Sequence, residues 1–489
     1  MTSTTPFFKP FGALLFGRRG RSALDSLSKL ESLEDLYAIF GDLFAERLLD
    51  LGDKGTNSRR RSLPPQVTFW AFVAQALSPK TSCREVVRRV EAWWRWGQLR
   101  TATSITDSAY IQARQRLDLS TLRLIRGQVA WQLERTVLKE ERWLEGREVK
   151  IVDGTHFSMP DTAANQAVWP QPSGQQPGCG FPVAKMVGLF SLSSGALLEE
   201  CVGDLHSHDS LLFTSLWARL SQGDIVLGDR GFCSYGAMAA LLGRGVDTVM
   251  RLHQMRKVDL RRGQRLGPGD QLVAWSKPAK PPLHVTPAQW ELLPHKLAVR
   301  LIRVVVETPG FRTRHVLIAT TLTDAALYPA EAIRDLYARR WTIELHFAQI
   351  KTILQLDVLR CQSPGMIHKE LQIHLIAYNL VRALMQKAAH LHDVTLERIS
   401  FKGSLDALRH WAAAIHASAK TPRKQAELIR CMLAAIAADP LPDRPGRSEP
   451  RARKRRPKSY QLLTEPRHQM KVIPHRKKYR APRPKTPLS

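Results

Sequence analysis

The spacing of apolar residues predicts a helical region over residues 1–145. Capping motifs mark where its helices begin, with Ser32 and Ser82 each followed three residues later by an acid. Two shorter helices are expected within residues 107–138, the second with Ser120 as its N-cap. Short helices joined by tight turns are typical of a helical DNA-binding module and also of any basic helical domain.

The pattern changes near residue 146 to short apolar runs that predict strands. Residues 146–252 give a strand at 148–159, a hairpin within 183–202, a strand at 224–229 and a strand at 248–252. A helix is expected before each of the last two strands. This order predicts an α/β fold with one three-stranded antiparallel part.

The remainder of the chain is predicted in four parts. Residues 253–325 alternate or run apolar between Gly and Pro turns, which predicts a β-rich insertion. Residues 326–360 are predicted to be a helical part of the α/β core, and residues 361–440 a helical C-terminal region. Residues 441–489 are rich in proline and cations, cannot bury a core, and are expected to be disordered.

Within residues 326–360, the stretch YARRWTIELHFAQIK predicts a single helix with two stripes. At 100° per residue, its polar residues fall within an arc of roughly 60°. A parallel stripe is apolar and should face a core. The polar stripe consists of Tyr337, Arg340, Glu344 and Lys351, and the apolar stripe of Leu336, Ile343, Phe347, Ile350 and Leu354. Alone, the pattern fits equally well an ordinary helix edge with an Arg340–Glu344 pair.

Charge narrows the choice of partner. Lys and Arg number 73 against 44 Asp and Glu, a formal net charge of +29, so a polyanion is expected. The region after residue 443 supplies about half of this excess and is interpreted as a DNA-binding arm, with a solubilising tail as the alternative. No apolar run is long enough to span a bilayer, and a cytoplasmic, DNA-associated protein is expected. The six scattered cysteines predict neither a disulfide framework nor a zinc site.

The helical N-terminal region offers four arginines for DNA contact. Residues Arg114, Arg116, Arg123 and Arg126 lie on its two shorter helices. Arginine side chains on such helices can bind phosphates. The tryptophan cluster at 93–96 is instead expected to pack in a core.

Three carboxylates form the candidate catalytic set. Asp153 and Asp229 lie at or near the ends of apolar strands, where α/β sheets collect their sites, and Glu344 lies on the two-striped helix. Converging acids need divalent cations between them, and oxygen ligands suit Mg²⁺ or Mn²⁺. Two such ions can promote in-line displacement at a phosphodiester.

A second cluster competes for metal on paper. Asp204, His206, His208 and Asp209 stand in the sequence GDLHSHDS. Imidazoles favour zinc or copper, but the spacing is irregular, and a helix cap made by Asp209 or Ser207 is the preferred interpretation.

The chain resembles the DDE transposases of the insertion-sequence-four group. That group's signature, Y-x2-R-x3-E-x6-K, is matched without a gap by Tyr337, Arg340, Glu344 and Lys351. Its strand ending in D-G and its D-x-G-aromatic motif have counterparts at Asp153 and at Asp229. The resemblance covers about residues 148–351. Outside it, only ITDSAYIQARQRL is similar to the N-terminal region of such enzymes.

This resemblance implies a ribonuclease-H-like catalytic core interrupted by the β insertion. It also implies cleavage at transposon ends with two Mg²⁺ ions, Mn²⁺ being a substitute, and strand transfer by the freed 3′-hydroxyl. Asp153, Asp229 and Glu344 would hold the metals, and Tyr337, Arg340 and Lys351 would bind the DNA backbone. The partners implied are double-stranded DNA, both transposon ends and target, and a second copy of the chain on paired ends.

Function is therefore expected to be cut-and-paste transposition of an insertion sequence. One alternative is an inactive or domesticated relative that binds DNA without cutting it. Another is a metal nuclease that cuts without joining. Some relatives hold a flipped base with an aromatic side chain from the insertion, for which Trp275 and Trp290 are the available residues, although packing roles are preferred for both.

Overall fold

The structure, a computed structural model, describes residues 39–40, 43, 63–97, 105–144, 146–256, 258, 263–282, 285–305, 315–418, 421–442 and 462–470. The capping motif predicted at Ser32 and most of the predicted basic tail lie outside the described residues. Among the described helices, none is long and apolar enough to cross a membrane.

Four helices lie within residues 63–97 and 105–144 of the described part, ahead of the sheet: α1 Pro65–Leu77, α2 Cys83–Gly97, α3 Asp107–Arg116 and α4 Leu119–Arg135. Helix α1 begins with proline at a first-turn position and is apolar on most sides, so it is largely buried. Ser82 accepts a hydrogen bond from the Glu85 N–H (3.2 Å), as its capping motif predicts. Ser120 is not the N-cap of α4. Asp118 takes that position and accepts the Thr121 N–H at 2.8 Å.

The predicted DNA-contacting arginines separate into two groups. Arg116 and Arg123 are exposed, whereas Arg114 and Arg126 are 8% and 1% exposed. Arg126 pairs with Glu199 and Glu200. Arg114 and Arg126 therefore cannot contact phosphates at the protein surface, because they lie against the protein interior.

Nine strands in the described part of the chain form one mixed sheet. They are β1 Val149–Ser158, β2 Val183–Ser191, β3 Leu197–Asp204, β4 Ile225–Gly228, β5 Asp247–Arg251, β6 Gln264–Gly267, β7 Asp270–Ser276, β8 Lys296–Val305 and β9 His315–Thr320. Their order is β3-β2-β1-β4-β5-β9-β8-β7-β6. Strands β1, β2 and β3 pair antiparallel, and β4 and β5 continue parallel to β1.

Strands of the predicted insertion extend this same sheet. β9 pairs antiparallel with β5, and β8, β7 and β6 follow outward. The shorter helices between strands are α5 Ala163–Val168, α6 Asp209–Thr214, α7 Tyr235–Leu242 and α8 Pro287–Leu292. Trp275 and Trp290 are 6% and 5% exposed in the core that α7 shares with the insertion strands, which supports packing roles.

The helix predicted at 337–351 is a run of changing pitch. It consists of α9 Ala330–Ala338, a 3₁₀ turn Arg339–Trp341, α10 Thr342–Ala348 and a π turn Gln349–Ile353. The prediction of one regular helix is therefore wrong in detail, since 3₁₀ and π turns change the angle between successive side chains. The apolar stripe is confirmed, because all of its members are buried: Leu336, Ile343, Phe347, Ile350 and Leu354.

Within residues 364–437, the described part of the chain contains α11 Pro364–His392, α12 Phe401–Ala417 and α13 Pro422–Ala437. Helix α11 is buried along most of its length and packs against α4, α1 and α13. Of the tail, residues 462–470 are described and contain a helical turn, Arg467–Gln469, with Pro466 close to Gly178. For these nine residues the structure differs from the predicted disorder.

Candidate active site

Parallel pairing of β1 with β4 sets the two aspartates side by side. Ile151 lies opposite Leu227 in that ladder. Two residues further along, on the same face because side chains alternate, come Asp153 and Asp229. Adjacent strands lie about 4.8 Å apart, so the two carboxylates lie side by side at the C-terminal ends of these strands.

A glycine beside each aspartate leaves room for a carboxylate. A Cβ on Gly231 would lie 3.0 Å from Asp229 Oδ1, and a Cβ on Gly154 would lie 3.0 Å from Asp209 Oδ2. The Gly231 N–H donates to Asp229 at 2.6 Å, and the Gly154 N–H donates to Asp153 at 2.8 Å. The D-x-G and D-G patterns thus have a steric and a hydrogen-bonding cause.

Helix α10 packs on the face of β1 that carries Asp153, through the buried Ile343 and Phe347. This contact places Glu344 at the rim of the site, where its side chain is 51% exposed. The apolar stripe of the sequence therefore positions the polar one, as periodicity predicts.

Arg340 lies between two of the acids. Its guanidinium nitrogens are 3.7 Å from Asp153 Oδ2 and 3.8 Å from Glu344 Oε1. The Arg340 side chain is 11% exposed and packs near the rings of Tyr337 and Trp341, at 5.9 and 5.3 Å from their centroids. Its Nε has no hydrogen-bond partner among the described residues.

Burial dominates the electrostatics of the site. It raises the pKa of Asp153 to about 6, and the nearby Asp229 and Glu344 add to this rise while Gly154 and Arg340 oppose it. Burial likewise raises the pKa of Tyr337 to about 12, so its hydroxyl keeps its proton at neutral pH. An acid with so perturbed a pKa at a strand end is a mark of a functional site.

Lys351 lies on the π turn beyond α10, next to a cluster that sequence reasoning missed. Lys185 of β2 pairs with Asp209 at 3.0 Å, and His156 stands opposite Lys185 in the β1–β2 register. Burial first, and then Lys185 and Lys351, lower the pKa of His156. The available signal was Lys185 itself, a lone cation in the apolar strand VAKMVGLFS.

Oxygen donors of Asp153, Asp229 and Glu344 are of the kind that Mg²⁺ and Mn²⁺ prefer. Within the described residues, however, no three His, Cys, Asp or Glu side chains stand close enough together to hold a metal ion. The guanidinium of Arg340 lies in the space between Asp153 and Glu344. The chemistry of the donors fits a metal site whose side chains are spread around this arginine.

The acids of the competing cluster at 204–209 bind neighbouring protein groups. Asp204 accepts hydrogen bonds from Ser207, and Asp209 pairs with Lys185. His208 occupies the N-cap position of α6 without a side-chain bond, so the predicted cap by Asp209 or Ser207 is wrong.

Comparison with known proteins identifies two families along the chain. Residues 144–380 match the Transposase DDE domain, and residues 32–125 match the Insertion element 4 transposase N-terminal family. The DDE match contains all six predicted site residues and extends into α11.

Individual proteins similar to this chain are also transposases of insertion sequences. The transposase InsG for insertion sequence element IS4 of Escherichia coli (strain K12) is 29% identical over 453 residues, covering 90% of this chain and 96% of that protein. A transposase for insertion sequence element IS421 of Escherichia coli is 38% identical over 72 residues, covering 15% of this chain and 19% of that protein.

A solved synaptic complex of piggyBac transposase with hairpin DNA covers 87% of both chains at 10% identity with a TM-score of 0.39, too weak a likeness to support an argument about fold. The two family matches and the full-length relative agree in order and extent along the sequence. This chain belongs to the IS4 family of DDE transposases, the transposases of insertion sequences.

Proposed function

We propose that this transposase binds the ends of its insertion sequence and moves it by metal-dependent DNA cleavage and strand transfer, along a cut-and-paste route. The observation that carries the proposal is the register of β1 and β4, which puts Asp153 beside Asp229 on the face that α10 covers with Glu344. A pure DNA-binding protein would gain nothing from collecting acids where phosphates must approach.

Asp153, Asp229 and Glu344 would hold two divalent ions, Mg²⁺ or Mn²⁺. When bound, such ions activate an attacking oxygen and stabilise the leaving one at a phosphodiester. The raised pKa of Asp153 supports this assignment, because a carboxylate held among like charges in a half-buried site is stabilised by a bound cation.

Arg340, Tyr337 and Lys351 would bind the DNA backbone near the scissile phosphate. Arg340 contacts its acids only at 3.7 and 3.8 Å, so its donors are not saturated and can turn to phosphate oxygens. The Tyr337 hydroxyl stays protonated and can donate. Lys351 adds a further cation on the same helical run.

The sheet supports a ribonuclease-H-like core, in which three antiparallel strands are followed by two parallel ones. The net charge of +29 supports double-stranded DNA, both element ends and target, as the partner. We further propose a homodimer that holds two paired ends during the reaction.

Glu344→Gln provides the direct test. Cleavage of labelled element ends in Mg²⁺ should fall below detection, while end binding measured without metal stays near the wild-type value. Glu331→Gln is the matched control, because Glu331 lies on the same helical run but is 76% exposed and pairs with Arg334. Cleavage retained by Glu344→Gln would refute the assignment.

Joining is tested separately. The wild type is incubated with Mg²⁺, a labelled end with a free 3′-hydroxyl and a target plasmid. Joined product supports the transposase, and cleavage without joining supports the nuclease alternative. Binding with neither reaction in the wild type would favour the inactive, DNA-binding alternative.

A further inference from the structure

A cavity of about 570 Å³ has none of the three acids in its lining. Its walls come from the α1–α2 turn, from α3, and from the segment that joins the π turn to α11. Lining residues include Phe72, Arg114, Leu354, Arg360, Gln362 and Glu370. This volume is within the range of small-ligand sites.

Arg114 lines this cavity, and among the described residues no acid forms an ion pair with it. The residue is 8% exposed, and its guanidinium carbon lies 4.8 and 5.0 Å from the ring centroids of Phe72 and Tyr110. Within the described part of the chain, Arg114 makes no ion pair, and its Nε has no hydrogen-bond partner. A buried cation whose close contacts are aromatic faces is stabilised further when an anion joins it.

Burial lowers the pKa of Arg114 and nearby groups that include Glu370 raise it, but Glu370 forms no ion pair with Arg114 in the described part of the chain. Its carboxylate accepts the N–H groups of Arg360, at 3.0 and 3.1 Å, and of Cys361, at 2.9 Å. Glu370 is the only acid among the described lining residues, against the cations Lys80, Arg114 and Arg360. The lining thus carries an excess of about two positive charges, which matches a phosphate monoester of −1.5 to −2 better than a singly charged phosphodiester or carboxylate.

The proposed reaction produces such a group. Hydrolysis adds the water oxygen to phosphorus and breaks the P–O3′ bond. The 3′ oxygen takes up a proton, and the other fragment keeps a 5′-phosphate monoester. Leu354 follows Glu344 by ten residues on one helical run, so the cavity begins roughly 15 Å from the site at 1.5 Å per residue.

We propose that this cavity binds a nucleotide through its terminal 5′-phosphate, with Arg114 as the principal contact. The inference rests on the proposed function only for the origin of that end. The base would lie against the apolar rim, where Ile111 and Val358 are 39% and 55% exposed. A cut strand or a free nucleoside 5′-monophosphate carries the same chemistry.

The test compares two short single-stranded oligonucleotides of one sequence, with a 5′-phosphate or a 5′-hydroxyl. Binding to the full-length protein is measured by fluorescence anisotropy in EDTA, where no cleavage occurs. The ratio of the two affinities removes the sequence-independent backbone contribution. The wild type should prefer the 5′-phosphate by about tenfold or more, as expected for a charged hydrogen bond.

Arg114→Gln should abolish this preference. Arg88→Gln is the matched control, because it removes one exposed charge on α2 outside the cavity and should keep the preference. Gln362→Glu adds a negative charge at the exposed rim without touching the core, and should reduce the preference even if Arg114→Gln folds poorly.

Equal affinity of the wild type for both oligonucleotides, or a preference that survives both Arg114→Gln and Gln362→Glu, would overturn the proposal. Competition by a free nucleoside 5′-monophosphate would show that the cavity accepts nucleotides generally. A preference without such competition would confine it to DNA ends. Since no arm requires cleavage, failure here leaves the Glu344→Gln test of the proposed function unaffected.

Discussion

Two clusters in this molecule combine one arginine with two acids, and they differ in how closed they are. In the first, here called the β3 ion cluster, Arg126 of α4 contacts Glu199 and Glu200 of β3. Arg126 is 1% exposed, Glu199 also accepts Arg219 at 2.7 Å, and Glu200 accepts Gln372 at 2.6 Å. In the second, Arg340 stands at 3.7 and 3.8 Å from Asp153 and Glu344.

The difference separates a structural cluster from one suited to chemistry. Around Arg126, each acid has its cation and a further donor, and the arginine is buried away from solvent. Around Arg340, the contacts are longer and Glu344 is half exposed. Residues that must change partners during a reaction cannot have all of their hydrogen-bond and ion-pair partners in the free protein. The unsatisfied groups reduce the stability of the fold.

The largest expected effect is on the closed cluster. Arg126→Met should lower the free energy of unfolding by about 3–5 kcal/mol, because it leaves the buried Glu200 without a cation and leaves Glu199 with Arg219 alone. Urea unfolding measures this change.

A matched variant sharpens the interpretation. Arg126→Met combined with Glu199→Gln and Glu200→Gln removes the charges together and should recover most of the lost stability. If the single change costs no more than a surface substitution, the β3 ion cluster is not structural and the comparison fails.

Removing a charge from the candidate active site should have the opposite effect on stability from removing Arg126. The pKa of Asp153 is raised from 3.8 to about 6, so folding disfavours its ionised form. The contribution of Asp153 to the free energy of unfolding is therefore fully present below pH 3.8 and is lost as the pH rises through 6. This loss is at most about 3 kcal/mol, at 1.36 kcal/mol per pKa unit. Asp153→Asn should therefore raise the melting temperature of the metal-free protein above pH 6.

At pH 3.5 the same variant should melt with the wild type, since both side chains are then neutral. Cleavage should be lost at every pH. A variant less stable than the wild type at pH 8 would show that Asp153 is held by favourable contacts, as in the β3 ion cluster.

Arg340→Gln should affect activity more than stability. The side chain lies 3.7 and 3.8 Å from its acids and makes no close ion pair with them, so its loss should lower the free energy of unfolding less than Arg126→Met does. Loss of a charged donor to the scissile phosphate should slow cleavage about 30-fold, or about 2 kcal/mol of barrier. Arg339→Gln is the control, because Arg339 is next to Arg340 in the sequence but pairs with Glu397 at the surface. Equal cleavage by the two variants would contradict a role for Arg340.

The sequence predicted those parts of the site that depend on local periodicity. Asp153 and Asp229 follow apolar strand residues, and the buried stripe beside Glu344 follows helical spacing. The change from α to 3₁₀ and π geometry over 339–353 could not be predicted, because it depends on packing against β1 and α11.

Non-local contacts account for the other differences. Arg126 looked like a phosphate contact because its partner Glu199 is 73 residues away. Arg114 is buried by Phe72, on a different helix. The insertion joins the main sheet through β5 and β9, which are far apart in sequence. An arginine in a pattern has a charge but no known neighbour, and the neighbour decides its role.

The smallest effect is expected where the same spacing occurs without a site. Arg89 and Glu85 repeat the four-residue separation of Arg340 and Glu344, at a closer 2.7 Å, but both are substantially exposed on α2. Arg89→Gln should change the free energy of unfolding by only about 0.3–0.5 kcal/mol, and 1 M salt should remove the difference by screening. Cleavage should be unchanged. If Arg89→Gln instead slowed cleavage as much as Arg340→Gln, a general loss of positive charge would explain both results, and the position of Arg340 between two acids would have no special role.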